Sequence, residues 1–189
     1  MIGDFKHIMM KEFEMNDLGL MSYFLGIEVI QGDGGIFIHQ SKFVVEFLKK
    51  FKREDSNSVK TPIETGIKLT KEGDGRTVDA TYFKHIVGSL RYLTCTRPDI
   101  CYVVGLVIRY MESLRQVHLQ VVKRIMRYIK GTTTFGLFYF SSKKIEIIEY
   151  SDSDWGGDSD ERKSTSGHCF MFGKTVCLWS SKKQSIVEL

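Results

Sequence analysis

The feature that most restricts how this chain can fold is a change of hydrophobic period near residue 132. Before it, apolar residues recur at helical spacing over Thr81 to Thr94, Pro98 to Met111 and Val117 to Lys130. After it come four short strand-like runs, FGLFYF, IEIIEYS, GHCFMFG and TVCLWSS, separated by Lys, Ser, Gly and Asp turns. One element type cannot serve both periods, so an α+β chain is expected, with helices first and an antiparallel sheet second. Its 189 residues allow one large domain or two small ones. The period change puts the boundary between residues 1–131 and 132–189.

Phe5, Ile8, Met9 and Phe13 share one face of a helix expected over residues 4 to 15, which has no start signal, as though it continued a longer element. Residues 20 to 30 and 36 to 40 flank Gly32, Asp33, Gly34 and Gly35 and read as a hairpin. Ser41 is placed to cap a helix whose apolar side carries Val44, Phe47, Leu48 and Phe51 and which ends near Arg53. The polar stretch 55–79, with Pro62 and the turn signal Gly73, Asp74, Gly75, reads as a long surface linker. Pro98 suits a first helical turn, and Gly131 suits a helix stop.

No apolar run approaches the ~20 residues of a membrane span. The N-terminal MIGDFKHIMMKEF lacks the apolar stretch of a signal peptide. These features point to an intracellular protein, in cytoplasm or nucleus, rather than a secreted one. Cys95, Cys101, Cys169 and Cys177 form no C-x-x-C pair and read as reduced thiols. Charge is blocky behind a net +4: residues 100–144 hold 8 basic and 1 acidic residue, and 145–161 hold 7 acidic and no basic ones. A solvated face explains such blocks, and so does a protein that grips phosphates with cations and places carboxylates beside them. On the second reading Arg109, Arg115, Lys123, Arg124, Arg127 and Lys130 are the candidate nucleic-acid contacts, with Lys123, Arg127 and Lys130 opposite Val121, Val122, Ile125 and Ile129. His85, His118 and His168 have no helical partner at ligand spacing and read as surface or packing residues.

Asp152 and Asp154 stand at the end of an expected strand, followed by Asp158, Asp160 and Glu161. Such a group invites magnesium, whose ligands are oxygens, and reads equally as an acidic turn. A calcium loop fails on spacing, because Gly156 stands where the third ligand belongs.

Several segments taken together closely resemble copia-type retrotransposon polyproteins: FEMNDLGLMSYFLGIEV at 13–29, IVGSLRYLTCTRPDICYVV at 86–104, HLQVVKRIMRYIKGTTTFGLFY at 118–139, YSDSDWGGD at 150–158, RKSTSGHCFMFG at 162–173 and WSSKKQSIVEL at 179–189. Nearly the whole chain is covered in the family's order. Leu178 looks inserted before Trp179 relative to the usual pattern. The resemblance implies that residues 1–131 are the C-terminal region of a reverse transcriptase-like domain and 132–189 the opening of a ribonuclease H-like domain. It also implies Asp152 as the first metal-binding carboxylate, Mg2+ as the cofactor, and an RNA–DNA hybrid or DNA as the partner. The family's Tyr-Val-Asp-Asp and its glutamate in Ser-Thr-Glu-Ala-Glu do not occur in the 189 residues. The expectation is therefore a vestigial Asp152 site without catalysis, with weak non-specific nucleic-acid binding as the alternative function. An interaction or effector role has less behind it, since neither GSLR nor ESLR begins with the arginine of an Arg-x-Leu-Arg motif.

Overall fold

A computed structural model of the chain describes residues 2–72, 76, 78–141 and 146–186. Helix α1 (Ile2–Glu12) leads to β1 (Tyr23–Phe24), β2 (Ile27–Gly32) and β3 (Gly35–His39), then α2 (Ser41–Lys50). After an irregular stretch come α3 (Ala80–Leu93), a 3-10 turn (Pro98–Ile100), α4 (Cys101–Ile108) and α5 (Gln116–Gly131). Strands β4 (Gly136–Phe140), β5 (Ile147–Ser153), β6 (Thr165–Phe172) and β7 (Thr175–Lys183) complete the chain. The α+β class holds, as two antiparallel sheets ordered β1-β2-β3-β4 and β5-β6-β7. The Gly73, Asp74, Gly75 turn signal lies outside the described residues.

The core is helical. Val44, Phe47 and Leu48 of α2, Phe83, Ile86, Leu90 and Leu93 of α3, Val103, Val104 and Val107 of α4, and Val122, Ile125, Met126 and Ile129 of α5 form one buried cluster. These are the positions that helical periodicity marks. Asp79 caps α3, its Oδ1 accepting from Thr81 N at 2.8 Å and Tyr82 N at 3.2 Å. Ser41 does not cap α2. It occupies the first helical position, and its hydroxyl donates across the fold to the Thr133 carbonyl at 3.0 Å. The helix expected over Pro98–Met111 tightens at both ends, with Arg109 N, Tyr110 N and Met111 N bonding three residues back.

Two features depart from the sequence reading. The stretch read as a surface linker is irregular but packs on the helices, burying Leu69 and partly burying Val59, Ile63, Ile67 and Val78. Strand β4, expected to open the second unit, pairs instead with β3, Phe37 facing Phe138 and His39 facing Gly136. A Cβ at Gly136 would meet the Ile38 carbonyl, and one at Gly35, at φ +143, the Tyr139 carbonyl, so both glycines permit the close pairing. Helix α1 buries none of its residues, and Phe5, Ile8 and Phe13 remain exposed. Among the described residues no helix is long and apolar enough to cross a membrane.

A buried guanidinium organises the centre. Arg97 is 2% exposed, and its Nε and Nη2 bind both Asp99 oxygens at 2.9 and 2.7 Å. Its Nη1 donates to the Thr132 carbonyl at 2.9 Å and Nη2 to Thr132 Oγ1 at 2.7 Å, past the end of α5. The ring faces of Tyr128 and Phe135 lie over the same group, at 5.7 and 5.3 Å. Burial pushes the Asp99 carboxyl up, but the Arg97 fork and the Tyr128 hydroxyl outweigh it and hold it below its ordinary value.

Removing one partner of this group strands the other. We expect Arg97→Ala to cost about 3 kcal/mol, and Arg97→Lys, which cannot fork, to recover less than half of it. Urea denaturation followed by far-UV circular dichroism checks this, and a cost below about 1 kcal/mol for Arg97→Ala would contradict it.

Candidate functional site

The second sheet is a three-stranded meander docked against the helices along α4 and β7. Trp179 Nε1 donates to the Thr94 carbonyl at 3.1 Å, and Thr175 Oγ1 donates to the Phe138 carbonyl of β4. Gly105 of α4 lies under β7, where a Cβ would come within 3.5 Å of the Ser181 carbonyl. Between Phe170 and Met171 the register slips, Phe170 facing Leu178 and Met171 facing Val176. Strand β7 therefore carries one extra residue there, a β-bulge at the place where the sequence looked one residue too long. The bulge absorbs the insertion and leaves Trp179 on the side of the sheet that faces the helices.

Between that side and α4 lies a cleft of about 540 Å³. Pro98, Cys101 and Tyr102 form its helical wall, and Tyr150, Asp152, Cys169 and Trp179 are on its sheet wall. Asp152 pairs in register with Gly167 and is exposed, and its Oδ1 accepts from the neighbouring Ser153 N at 2.9 Å. β5 is an edge strand of this sheet, and all seven of its residues are exposed.

Asp154 lines the same cleft as Asp152, whereas Asp158, Asp160 and Glu161 turn to cations and amides elsewhere. Asp154 Oδ1 accepts from Thr165 N at 2.7 Å and Gly157 N at 3.4 Å, which pins the turn after β5 to β6. Asp158 is buried, paired with Lys183 at 2.8 Å and Arg109 at 3.8 Å, and accepts from Asp160 N and Glu161 N. Asp160 Oδ2 accepts from Lys71 N at 2.9 Å, and Glu161 meets Lys71, Lys163 and Lys183 at 2.8, 2.9 and 3.3 Å. Burial raises the Asp158 carboxyl, but Lys183 and two amides lower it below its ordinary value overall. Hydrogen bonds from Lys71, Lys163 and Lys183 pull Glu161 down to about 2. The acidic block is thus mostly an electrostatic clamp between the second sheet, residue 71 and Arg109. Among the described residues no group of three or more His, Cys, Asp or Glu side chains is placed to hold a metal ion. Asp152 and Asp154 are thus the two carboxylates on the cleft, and both amide contacts of Asp154 fall on Oδ1.

The six cations proposed from sequence separate in space. Arg109 turns to the acidic clamp, its Nη2 also donating to Thr165 Oγ1 at 3.0 Å. Arg115 precedes α5, where its backbone N–H donates to His118 Nδ1 at 3.1 Å. His118 is buried, stacks on Tyr110 at 4.3 Å and donates from Nε2 to the Thr70 carbonyl at 3.1 Å, which confirms a packing role. Burial lowers its pKa. Lys123, Arg124, Arg127 and Lys130 share the outer side of α5, beside the 53–67 segment. Arg124 pairs with Glu64 at 2.6 Å, Arg127 Nε donates to the Asn57 carbonyl at 2.7 Å, and Lys130 donates to the Glu54 carbonyl. Carbonyl acceptors leave the charges of Arg127 and Lys130 uncompensated. Lys71, Lys183 and Arg97 were missed by the sequence reading, since no local pattern links them to partners up to 90 residues away.

The family model for reverse transcriptase (RNA-dependent DNA polymerase) matches residues 1–65. An uncharacterised mitochondrial protein of Arabidopsis thaliana is 36% identical over 93% of this chain and 73% of its own length. The retrovirus-related Pol polyprotein from transposon RE1 of the same plant is 36% identical over 92% of this chain, which spans 12% of that polyprotein. The Pol polyprotein from transposon TNT 1-94 of Nicotiana tabacum is 34% identical over the whole chain, or 15% of its own length. No solved structure matches. The protein is thus related to reverse transcriptases. It belongs to the copia-type retrotransposon Pol polyprotein family, and it spans a small part of the full polyproteins.

The clamp sets an acid sensitivity. Glu161 has an ordinary value of 4.5 and a folded value of about 2, so its contribution is full above about 4.5 and is lost as pH falls to about 2; Asp158, also lowered, acts in the same direction. We expect amides of residues 154–165 to lose hydrogen-exchange protection across that window before those of α3 and α5. Protection of this loop that stays constant relative to α3 down to pH 2 would contradict the clamp.

Proposed function

We propose that the chain is a junction between a reverse transcriptase-like region and the opening of a ribonuclease H-like domain, and that it holds nucleic acid without cleaving it. The observation that supports this best is the β5-β6-β7 meander with Asp152 near the end of its first strand, open to a cleft. In the resembling family the first metal-binding carboxylate stands at the end of the first strand, and Asp152 is the residue that matches it. The pairing of β4 with β3 argues for a domain boundary between residues 140 and 147 rather than at 132.

Two-metal phosphodiester chemistry needs several carboxylates around one point. Asp152 and Asp154 both line the cleft, Asp154 engaging two amides through Oδ1, while Asp158 is committed to cations and Asp160 and Glu161 to Lys71 and its neighbours. The proposed activity is therefore binding. The gripping surface is the outer side of α5, where Lys123, Arg127 and Lys130 keep their charge available to phosphates. Arg109, turned to Asp158, is left out of it.

With no base-reading geometry, affinity for an RNA–DNA hybrid should be about 10⁻⁴ to 10⁻⁶ M and should fall steeply with salt. Replacing Lys123, Arg127 and Lys130 together by Ala should flatten the slope of log K against log salt by about one for each phosphate no longer gripped. Fluorescence anisotropy on a hybrid with hydroxyl ends measures this, and a triple variant that binds like the parent would contradict the α5 surface. Magnesium-dependent cleavage of the hybrid, abolished by Asp152→Asn, would contradict the reading that the chain binds without cutting.

A further inference from the structure

A second cleft, of about 380 Å³, opens between the end of α2, the 64–67 segment and α5. It brings together Arg53, Lys123, Arg124 and Arg127 with the single carboxylate of Glu64. Glu64 is spent on Arg124 at 2.6 Å and lies mostly in solvent. Among the described residues, no hydrogen bond or ion pair engages the side chain of Arg53 or of Lys123. The Nε atoms of Arg53 and Arg124 are buried without a hydrogen-bond partner. Buried N–H groups left unpaired are costly, and so are four cations gathered around one carboxylate. The chain nevertheless holds them there. Lys52 adopts the left-handed conformation at φ 54, unusual for a lysine, and Arg53 N bonds back to the Leu48 carbonyl at 2.8 Å. That turn ends α2 and delivers Arg53 to the cleft.

We propose that this cleft binds a phosphoryl dianion, either free phosphate or the terminal phosphate of an oligonucleotide. Two guanidinium groups with spare donors and one ammonium need an acceptor with at least three oxygens and two negative charges. A carboxylate offers two oxygens and one charge, so it fills the site poorly. Ile67 and Val121 line the cleft beside the cations. The site shares Lys123 and Arg127 with the polymer-binding surface but does not rest on it, since free phosphate reaches the cleft without a polymer.

The test is titration of the full 189-residue chain with inorganic phosphate, followed by calorimetry and by ³¹P NMR, with acetate as the control anion. We expect saturable binding at one site, tighter than about 10 mM. Arg53→Gln should weaken it about tenfold, and Glu64→Gln, which removes the carboxylate among the residues that line the cleft, should tighten it. Arg53→Gln should keep the thermal midpoint measured without phosphate, because among the described residues its side chain makes no hydrogen bond or ion pair. A dinucleotide with a 5′-phosphate that binds tighter than one with a 5′-hydroxyl identifies the oligonucleotide end as the source; equal binding with phosphate binding intact identifies the free anion. Absence of saturable phosphate binding, equal binding of acetate, or an Arg53→Gln variant that binds phosphate like the parent would overturn the proposal. Phosphate binding that persists when a hydroxyl-ended hybrid fails to bind supports this cleft and counts against the polymer surface, so the two readings fail separately.

Discussion

A guanidinium that is 2% exposed has to be paired on all sides, and the pairing of Arg97 decides the course of the chain around it. Its fork on Asp99 fixes the turn between α3 and α4. Its bonds to both oxygens of Thr132 fix where α5 ends. One residue later the Thr133 carbonyl accepts from Ser41 at the start of α2, and three residues after that Gly136 enters β4 against β3. The hairpin sheet is thereby closed onto the helical core from the far end of the sequence. Tyr128, which also donates to Asp99 at 2.8 Å, ties the last turn of α5 to the same group.

The second sheet is attached by different means. Apolar contact along α4 and β7 is modest, and the sheet keeps exposed apolar residues such as Ile147, Phe172 and Leu178. Charge completes the attachment: Asp158 between Lys183 and Arg109, and Glu161 among three lysines. The cleft around Asp152 exists only while this docking holds, because one wall belongs to the sheet and the other to α4. Asp158, Asp160 and Glu161, which follow Asp152 closely in sequence, hold that wall in place in three dimensions.

How far the sequence could be read follows from the range of each interaction. Helices α2, α3 and α5 and the β2–β3 hairpin were legible because period and turn chemistry are local. Strand β4 was legible as a strand but not as the partner of β3, since alternation says nothing about pairing about a hundred residues away. Val59, Ile63, Ile67 and Leu69 were hidden in a polar, glycine-rich stretch whose composition suggested solvent. Asp152 was legible as an exposed carboxylate at a strand end, and the resemblance of the flanking motifs carried the family. The neutralisation of Asp158 and Glu161 was not legible, because Lys71 and Lys183, the latter at the end of β7, stand far from them in sequence. Arg53 carried no motif at all; only the turn at Lys52 brings it to the cleft beside α5.

All of this depends on the second sheet being docked rather than loosely tethered, and the two tryptophans report on that directly. Trp179 Nε1 is bonded to the Thr94 carbonyl across the interface, whereas Trp155 is 81% exposed. Two-dimensional ¹H–¹⁵N NMR of the full chain after transfer to D₂O follows each indole N–H separately. The docked arrangement requires one indole signal that exchanges at the rate of free indole and one that is clearly protected, the latter lost in Trp179→Phe. Two signals that both exchange at the free rate would show that the sheet does not rest on the helices.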